Sequence, residues 1–233
     1  MVKAGSQSEP AIYSEPMTQS MAALRGKFIV LDGTEGCGKS TQARMLVEAV
    51  TKAGVDVLSV RDPGSTRVGE QIRAVLLNPQ HTEMSMRCEM LLYMAARAQM
   101  MAELILPALE SGKLVICDRF VSSTLAYQLG GDGLTAKQIR DIADVAIKGH
   151  WPDLTILLDM PPDRSLARVR REKDRIEQRP LAYHEQVRRN YLAQVQNDPE
   201  RYRLVVADRS PEEVHAEIIK IMLDMSLKEP RTK

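Results

Sequence analysis

The chain has 233 residues, of which 44% are hydrophobic and 27% charged, values typical of one globular domain with a sizeable core. Its formal net charge of +1 excludes a general electrostatic attraction to nucleic acid or membranes, so any phosphate site must arise from local clustering of charge. Aromatic residues make up 4% of the chain, too few to favour a groove on which nucleic-acid bases stack.

The sequence predicts one domain between two polar termini. Residues 1–25 are rich in Ser, Gln, Pro, Met and Ala without apolar periodicity, so we expect a mobile N-terminal extension. Residues 26–226 form the predicted domain, and residues 227–233 a C-terminal tail. No apolar run reaches the ~20 residues of a membrane span, and we find no signal-peptide core. The cysteines at 37, 88 and 117 lack metal-ligand spacing, which indicates reduced thiols and a cytoplasmic location.

The first predicted strand, at 28–31, leads into the sequence G-T-E-G-C-G-K-S, which ends at Ser40. This matches G-x-x-x-x-G-K-[ST], with a strand before it and a predicted helix at 41–53 after it. The glycines let backbone N–H groups turn inward around phosphate oxygens, and the helix adds its N-terminal amides. Lys39 is suited to reach the β- and γ-phosphates, and the Ser40 hydroxyl to bind Mg²⁺. The motif therefore predicts binding of a nucleoside triphosphate.

The remaining elements alternate between strands and helices. Apolar runs predict strands at 55–60, 113–117, 153–159 and 202–206. Helical periodicity and turn residues predict helices at 68–77, 86–110, 122–128, 135–148 and 211–225. The methionines of the longest helix recur at helical spacing, which is typical of a core-facing stripe. Five strands alternating with helices, without an internal repeat, predict an α/β fold with a doubly wound, five-stranded parallel sheet.

Polar residues follow two of these strands, at the end where open α/β sheets bind ligands. Asp62 and Pro63 lie in the turn R-D-P-G-S-T after the second strand. Asp118 and Arg119 follow the third strand. A carboxylate in that place is suited to organise Mg²⁺ or its waters, and the neighbouring guanidinium to hold a phosphoryl group.

The segment between residues 164 and 189 carries eight arginines against four acidic residues. Such a run is typical of a solvated helix face or a nucleic-acid contact. Its centre, R-R-E-K-D-R-I-E, combines mixed charge with few apolar anchors. We therefore expect a mobile lid at about 170–180 that orders over anionic ligands.

Five motifs occur in collinear order between residues 27 and 214: F-I-V-L-D-G-T-E-G-C-G-K-S-T-Q, R-D-P-G-S-T, L-L-Y-M-A-A-R, C-D-R-F-V-S-S-T-L-A-Y-Q and D-R-I-E. In these motifs the chain resembles the thymidylate kinase family of P-loop nucleoside monophosphate kinases. The resemblance implies a fold with a lid and transfer of the γ-phosphoryl group of ATP to dTMP, giving dTDP and ADP on the way to dTTP. It also implies Mg²⁺ as cofactor and a homodimer, with no nucleic-acid or membrane partner.

The resemblance assigns site residues by their positions in these motifs. The ATP-binding residues would be Gly33, Thr34, Glu35, Gly36, Cys37, Gly38, Lys39, Ser40, Thr41 and Arg168. The acceptor-binding residues would be Glu35, Asp62, Pro63, Arg73, Tyr93, Arg97, Arg119, Thr124, Tyr127 and Gln128. Tyr93 would stack on thymine, while Thr124 and Gln128 would contact the base edge. The metal ligands would be Ser40 and Asp118.

The family supplies a catalytic cation either from the phosphate loop or from the lid. The variable loop positions here, 34–37, carry no basic side chain. The lid offers the charged residues Arg170, Arg171, Asp174, Arg175 and Glu177. The chain therefore resembles the bacterial lid-arginine type, and we assign catalysis to Lys39, Arg119 and Arg175.

Two acidic positions depart from the family pattern, and two alternative functions stay open. Asp32 and Asp62 stand where the family more often has Glu, whose side chain is one methylene longer. A water molecule could therefore mediate contacts that the longer carboxylate makes directly. A related kinase that phosphorylates thymidine, UMP or CMP is the nearer alternative. An ATPase that binds nucleic acid through the Arg-rich segment is the other, which near-neutral charge and scarce aromatics disfavour.

Overall fold

The computed structural model describes residues 20–226 of the chain. The strands are β1 Phe28–Gly33, β2 Val57–Arg61, β3 Leu114–Asp118, β4 Leu154–Asp159 and β5 Tyr202–Val206. The helices are α1 Lys39–Lys52, α2 Arg67–Leu77, α3 Met86–Met100, α4 Leu106–Glu110, α5 Val121–Tyr127, α6 Ala136–Ile147, α7 Pro162–Ala167, α8 Leu181–Asn197 and α9 Pro211–Ser226. Strands and helices alternate along the chain, as the hydrophobic pattern predicts.

The five strands lie in the order β2-β3-β1-β4-β5, and every neighbouring pair is parallel. All residues of the central strand β1 are buried, as expected for an apolar run in a sheet covered on both faces. The chain leaves β1 toward one edge of the sheet and β3 toward the other, which opens a crevice at the carboxyl ends of these strands. The predicted doubly wound α/β fold is confirmed, and Gly33 and Asp118 meet at this crevice.

The helices form a layer on each face of the sheet. Ile29 and Leu31 of β1 belong to a core shared with α1 and α9, whereas Phe28 and Val30 belong to a core shared with α3 and α6. This division follows from the alternation of side chains along a strand. The predicted methionine stripe of α3 lies in the second core, as expected.

The predicted elements are present, with bounds that shift by two residues or fewer. The predicted helix at 86–110 contains a π-helical turn, Met101–Ile105, between α3 and α4. Two further helices, α7 and α8, were not predicted. α8 buries His184 and Gln194 beside Val187 and Tyr191, so half of its buried stripe is polar and no apolar periodicity marks it in the sequence. These two helices flank the predicted lid at about 170–180 and do not overlap it.

The folded domain begins earlier than the predicted boundary at residue 26. Met21 and Leu24 are 1% and 0% exposed and pack in the core beside α1 and α9. The segment M-A-A-L is too short to display a periodicity, so its packing could not be predicted from the sequence. Residues 1–19 and 227–233, the rest of the predicted extension and the predicted tail, lie outside the described residues.

Candidate active site

The phosphate loop between β1 and α1 is shaped by its neighbours as well as by its own glycines. Gly36 and Gly38 have φ values of 73° and 104°, in the left-handed region that glycine tolerates. A Cβ on Gly36 would lie 2.0 Å from the carbonyl oxygen of Ser165 in α7. A Cβ on Gly33 would lie 2.4 Å from the carbonyl oxygen of Leu158 in β4. The loop therefore packs directly against the backbone of two other elements.

The predicted lysine and serine of the loop both point to partners inside the crevice. Lys39 is 7% exposed, and its Nζ donates to the carbonyl oxygens of Gly33 at 3.1 Å and Thr34 at 2.7 Å. The Ser40 hydroxyl donates to Oδ2 of Asp118 at 2.7 Å. The structure thus brings together the hydroxyl and the carboxylate that the sequence singled out as metal ligands.

Two other predicted loop residues differ in exposure. Cys37 is 2% exposed, and burial raises the pKa of its thiol above the ordinary value although Lys39 opposes the shift. Its role in the loop is therefore packing rather than reactivity, since the thiolate is the reactive form. Thr41 is exposed on the first turn of α1.

Arg119 connects the phosphate loop with the acceptor side of the crevice. Its guanidinium donates to the carbonyl oxygen of Gly33 at 2.9 Å and to Oε1 of Glu35 at 2.8 Å. The Tyr127 hydroxyl also donates to the Glu35 carboxylate. Burial raises the pKa of Glu35, but the charges of Arg119 and Lys39 outweigh it, so the net pKa lies below the ordinary value. Glu35 is thus a charged group inside the site.

Asp32 supports this arrangement from below and faces no cavity. It is 0% exposed, and its carboxylate accepts from the hydroxyls of Ser122, Ser123 and Tyr191. It also accepts from the backbone N–H of Gly33 at 2.8 Å. Its contacts are direct, so the shorter side chain at this position holds protein groups rather than a ligand.

A cavity of about 300 Å³ extends from the phosphate loop to α3 and α5. The predicted acceptor residues that line it are Glu35, Asp62, Pro63, Arg73, Tyr93, Arg97, Arg119, Thr124, Tyr127 and Gln128. The predicted loop and metal residues that reach it are Gly36, Lys39, Ser40 and Asp118. Every residue of the predicted acceptor set therefore borders one space, although these residues come from six different segments of the chain.

Arg97 borders the cavity as a buried, ion-paired side chain. It is 1% exposed, and its Nε donates to Oδ2 of Asp62 at 2.7 Å. Its Nη2 donates to Oγ1 of Thr124 at 3.2 Å. Burial raises the pKa of Asp62 above its ordinary value, and the charge of Arg97 opposes that shift. Asp62 and Arg97 together form a fixed polar wall of the cavity.

The segment at 170–180 is irregular and covers one side of the cavity, as expected for a lid. Arg171 lines the cavity, and its guanidinium donates to both carboxylate oxygens of Glu177, at 2.9 Å and 2.7 Å. The backbone N–H of Asp174 donates to the same carboxylate at 3.0 Å. Ile176 is 4% exposed, so the segment has an apolar anchor in the fold.

Arg175 does not line the cavity, contrary to its assignment as the catalytic lid arginine. It is 8% exposed, and its Nε donates to the carbonyl oxygen of Leu76 at 2.8 Å. Its Nη2 donates to the carboxylate of Glu89 in α3, to which Arg179 also donates. The buried carboxylate of Glu89 therefore determines where Arg175 lies. The lid sequence contains no pattern from which this partner could be predicted.

The comparisons with known proteins agree with this architecture. The family model described as thymidylate kinase matches residues 31–218.

The chain belongs to the thymidylate kinase family.

It is 43% identical over 203 residues to a thymidylate kinase of Exiguobacterium sp., covering 86% of this chain and 96% of that relative. It is 45% identical over 200 residues to a thymidylate kinase of Halothermothrix orenii, covering 84% of this chain and 95% of that relative. The crystal structure of thymidylate kinase from Ehrlichia chaffeensis is similar, with a TM-score of 0.69 and 27% identity over 84% of this chain and 98% of that one.

Two lid and donor-side arginines of this thymidylate kinase family member lie outside the cavity. Arg168 is exposed, and its guanidinium is 3.5 Å from Oδ1 of Asp208. Arg170 is exposed and does not line the cavity. Among residues 20–226, no helix is both long and apolar enough to cross a membrane.

Sequence reasoning missed several residues that shape the site. Ser123 and Arg61 line the cavity, and each lies beside a residue that was predicted, so the motif itself could have included them. Tyr191 and Glu89 hold other site residues in place. Glu89 lies on α3, four residues before the predicted Tyr93, so helical spacing could have included it. No signal in the sequence links Tyr191 to the site, since it lies on the unpredicted helix α8 and its partners are distant along the chain.

Proposed function

We propose that this chain transfers the γ-phosphoryl group of ATP to dTMP, producing dTDP and ADP. The observation that carries this proposal is the cavity of about 300 Å³ in which a phosphate loop meets five arginines and a polar, aromatic wall. Membership of the thymidylate kinase family supports the same reaction. The phosphate loop is the donor end of this cavity, and the wall formed by α3 and α5 is the acceptor end.

The acceptor end offers groups for each part of a nucleoside monophosphate. We assign the base to the ring of Tyr93 and to the base-edge groups of Thr124 and Gln128. We assign the acceptor phosphate to Arg73 and Arg119, because a guanidinium binds phosphate with two parallel hydrogen bonds. The remaining acceptor residues are Glu35 near the sugar 3′-hydroxyl, Tyr127 where a 2′-hydroxyl would lie, and Asp62, Pro63 and Arg97 at the side wall.

We propose that catalysis depends on charge neutralisation where the donor end of the cavity meets its acceptor end. ATP carries about four negative charges and a nucleoside monophosphate about two, so they repel each other until cations intervene. Lys39 and Arg119 flank the point where the two nucleotides meet, and both are fixed by hydrogen bonds to the loop. The acceptor oxygen is already anionic, so positioning and charge supply the rate enhancement rather than base catalysis. Closure of the lid over the bound nucleotides would also exclude water from the phosphoryl group.

The oxygen ligands beside the phosphate loop suit Mg²⁺. The Ser40 hydroxyl and the Asp118 carboxylate are adjacent, and both are oxygen donors of the kind that a hard cation prefers. No group of three or more His, Cys, Asp or Glu side chains with metal-binding geometry occurs within residues 20–226. A site with only two protein ligands, Ser40 and Asp118, fits Mg²⁺, because this ion keeps several water ligands and binds substrate phosphates. When bound, Mg²⁺ supplies positive charge to the β- and γ-phosphates.

We assign the lid cation to Arg171, in place of the Arg175 favoured by sequence reasoning. Arg171 borders the cavity with a side chain that is 61% exposed, whereas Arg175 is committed to a buried ion pair. Its fork of donors suits a phosphoryl oxygen. Arg168 stays a proposed contact for adenine, and Arg170 a second cation of the lid.

Two further properties follow from the family resemblance. We propose that the enzyme is a homodimer and that it works in the cytoplasm with reduced thiols. Cys37, Cys88 and Cys117 are free, in agreement with a reducing compartment.

The decisive experiment is a coupled assay of ADP release with purified protein, ATP·Mg²⁺ and a panel of acceptors. We expect dTMP to give the highest kcat/KM, with thymidine, UMP and dCMP far below it. Omission of Mg²⁺ in the presence of a chelator should abolish turnover, and replacement with Mg²⁺ should restore it. A higher kcat/KM for any other acceptor, or no diphosphate from dTMP, would refute the proposed function.

A further inference from the structure

We propose that Glu89 fixes the hydrogen-bonding polarity of the acceptor pocket, so that Gln128 presents an acceptor to the base and selects thymine over cytosine. This inference rests on the proposed function, because it concerns the base half of the same cavity. Glu89 would act as a positioning residue, since it contacts Gln128 and not the cavity.

Glu89 is a fully buried carboxylate whose two oxygens have different partners. It is 0% exposed and lies on α3, one helical turn before Tyr93. Its Oε1 accepts from the Nε2 amide of Gln128 at 2.7 Å. Its Oε2 accepts from Arg179 at 2.7 Å and from Arg175. One carboxylate oxygen therefore binds charged partners from the lid side, and the other binds the neutral amide of Gln128 at the acceptor pocket.

This arrangement leaves one orientation for the Gln128 side chain. A primary amide has a donor end and an acceptor end, and rotation by 180° exchanges them at little cost when nothing distinguishes them. A carboxylate that neutralises two guanidinium groups has only acceptors, so Gln128 must turn its NH₂ group toward Glu89. Gln128 lines the cavity and its Nε2 is directed to Glu89, so on this proposal its carbonyl oxygen is the end offered to the base.

The polarity of that end matters because pyrimidines differ at N3. Thymine carries N3–H, a donor, whereas cytosine carries an unprotonated N3, an acceptor. A carbonyl oxygen from Gln128 accepts a hydrogen bond from thymine N3–H but faces the lone pair of cytosine N3. A site whose buried polar group is left unpaired by the wrong base can discriminate by roughly 10²-fold or more. Arg97 is less free to make this distinction, because its guanidinium already donates to Asp62 and to Thr124.

The test is the variant Glu89→Gln, assayed with dTMP and with dCMP. A glutamine at 89 can accept from the arginines with its carbonyl oxygen and donate its NH₂ to Gln128, which then turns its own NH₂ to the cavity. We expect the KM for dTMP to rise about tenfold or more with a smaller change in kcat. We expect the ratio of kcat/KM for dTMP to that for dCMP to fall by at least about tenfold.

The matched control is Glu103→Gln, the same substitution at an exposed position of the same helical run. It should leave the KM for dTMP and the acceptor ratio within twofold of the parent protein. A role of Glu89 in stability alone would lower kcat/KM for both acceptors by the same factor and leave their ratio unchanged. An unchanged ratio in folded Glu89→Gln would therefore overturn the inference.

A second variant covers the case in which Glu89→Gln does not fold. Glu89→Asp keeps the buried negative charge near the arginines but draws the carboxylate back by one methylene, which lengthens its contact with Gln128. We expect the acceptor ratio to fall here as well, and an unchanged ratio in the folded variant would overturn the inference. Parent protein that does not phosphorylate dTMP would refute the proposed function itself, a result that the same assay reports separately.

Discussion

Arg119 adopts a backbone conformation that most side chains avoid, with a φ of 72°. The left-handed region costs a non-glycine residue roughly 1 kcal/mol, and such strain persists where the surrounding structure compensates for it. Here the compensation is visible, since the guanidinium binds Gly33, Glu35, Ser123 and Tyr191. The strained residue also lies where we propose that the donor and acceptor ends of the cavity meet. Its hydrogen bonds therefore hold a cation in a fixed place at the proposed site of phosphoryl transfer.

The two lid arginines are separable by mutation. Arg171→Ala should lower kcat by roughly 10²-fold or more with little change in the Kd for dTMP, because its contact is expected to strengthen in the transition state. Arg175→Ala should mainly lower the melting temperature, since Glu89 loses one of the two cations opposite its buried charge. Steady-state kinetics, calorimetry and thermal unfolding of both variants check this. A larger loss of kcat in Arg175→Ala would return the catalytic role to that residue.

His184 makes stability depend on pH near neutrality. It is 1% exposed, and burial lowers its pKa below the ordinary 6.5, while the charge of Glu35 and a backbone hydrogen bond with Arg179 oppose the shift. A folded-state pKa below the unfolded value means that the unfolded chain binds the proton more readily. Stability is therefore complete above about pH 6.5 and falls as pH decreases toward the folded pKa.

We expect His184→Gln to flatten the decline in the free energy of unfolding between pH 7.5 and pH 5.5. Urea unfolding at several pH values measures it. His215, whose pKa burial also lowers, contributes in the same direction, so part of the decline should remain. Glu35, whose pKa is lowered, acts only below about pH 4.5 and does not interfere. An equal decline in the variant and the parent would rule out a contribution from His184.

At the scale of elements, the phosphate loop depends on α7, which was not evident from the motif. Gly36 and Gly54 share nearly the same φ, 73° and 74°, but a Cβ on Gly36 would overlap the backbone of Ser165, whereas nothing lies within 4 Å of a Cβ on Gly54. Substitutions at Gly36 and Gly54 therefore distinguish the cost of backbone strain, which both share, from the cost of a steric overlap, which only Gly36 has.

Gly36→Ala should destabilise the protein by roughly 2 kcal/mol more than Gly54→Ala, because overpacking adds to the strain that both substitutions share. The difference corresponds to a melting temperature lower by about 4–8 °C for a chain of this size. The ATP KM of Gly36→Ala should also rise, while that of Gly54→Ala should not. Equal melting temperatures for the two variants would show that α7 moves away from the loop at little cost in stability.

The helix α8 joins the base of the site to the lid. Its Tyr191 donates to Asp32 and contacts Arg119, and its neighbour Asn190 donates to the carbonyl oxygen of Ala126 in α5. At its other end, Tyr183 donates to the carbonyl oxygen of Tyr127. One helix thus holds α5, which carries Thr124 and Tyr127, against the phosphate loop.

At the scale of the molecule, the proposed homodimer predicts a solution mass twice that of one chain. Light scattering coupled to size-exclusion chromatography measures it at the concentration of the kinetic assay and tenfold above. The buried methionines of α3 belong to the core of one chain, so the contact must use other surfaces. A single-chain mass at both concentrations would refute the homodimer while leaving the proposed reaction untouched.

The sequence by itself determined the parallel sheet and the phosphate loop. Both follow from local causes: apolar runs form buried strands, a glycine-rich turn cradles phosphate, and the carboxyl ends of parallel strands meet at one edge. Asp118 and Arg119 could therefore be predicted from their place after β3. The cavity-lining residues of α2, α3 and α5 were instead assigned through the resemblance to the thymidylate kinase family.

Only the tertiary structure decided the partners that come from distant segments. Arg175 pairs with Glu89 and does not line the cavity, and Arg97 pairs with Asp62. The helix α8 forms although half of its buried residues are polar. The physical reason is the same in each case. A buried charge or polar side chain is stable only where a complementary group meets it, and which group does so depends on how helices pack, not on the residues next to it in the chain.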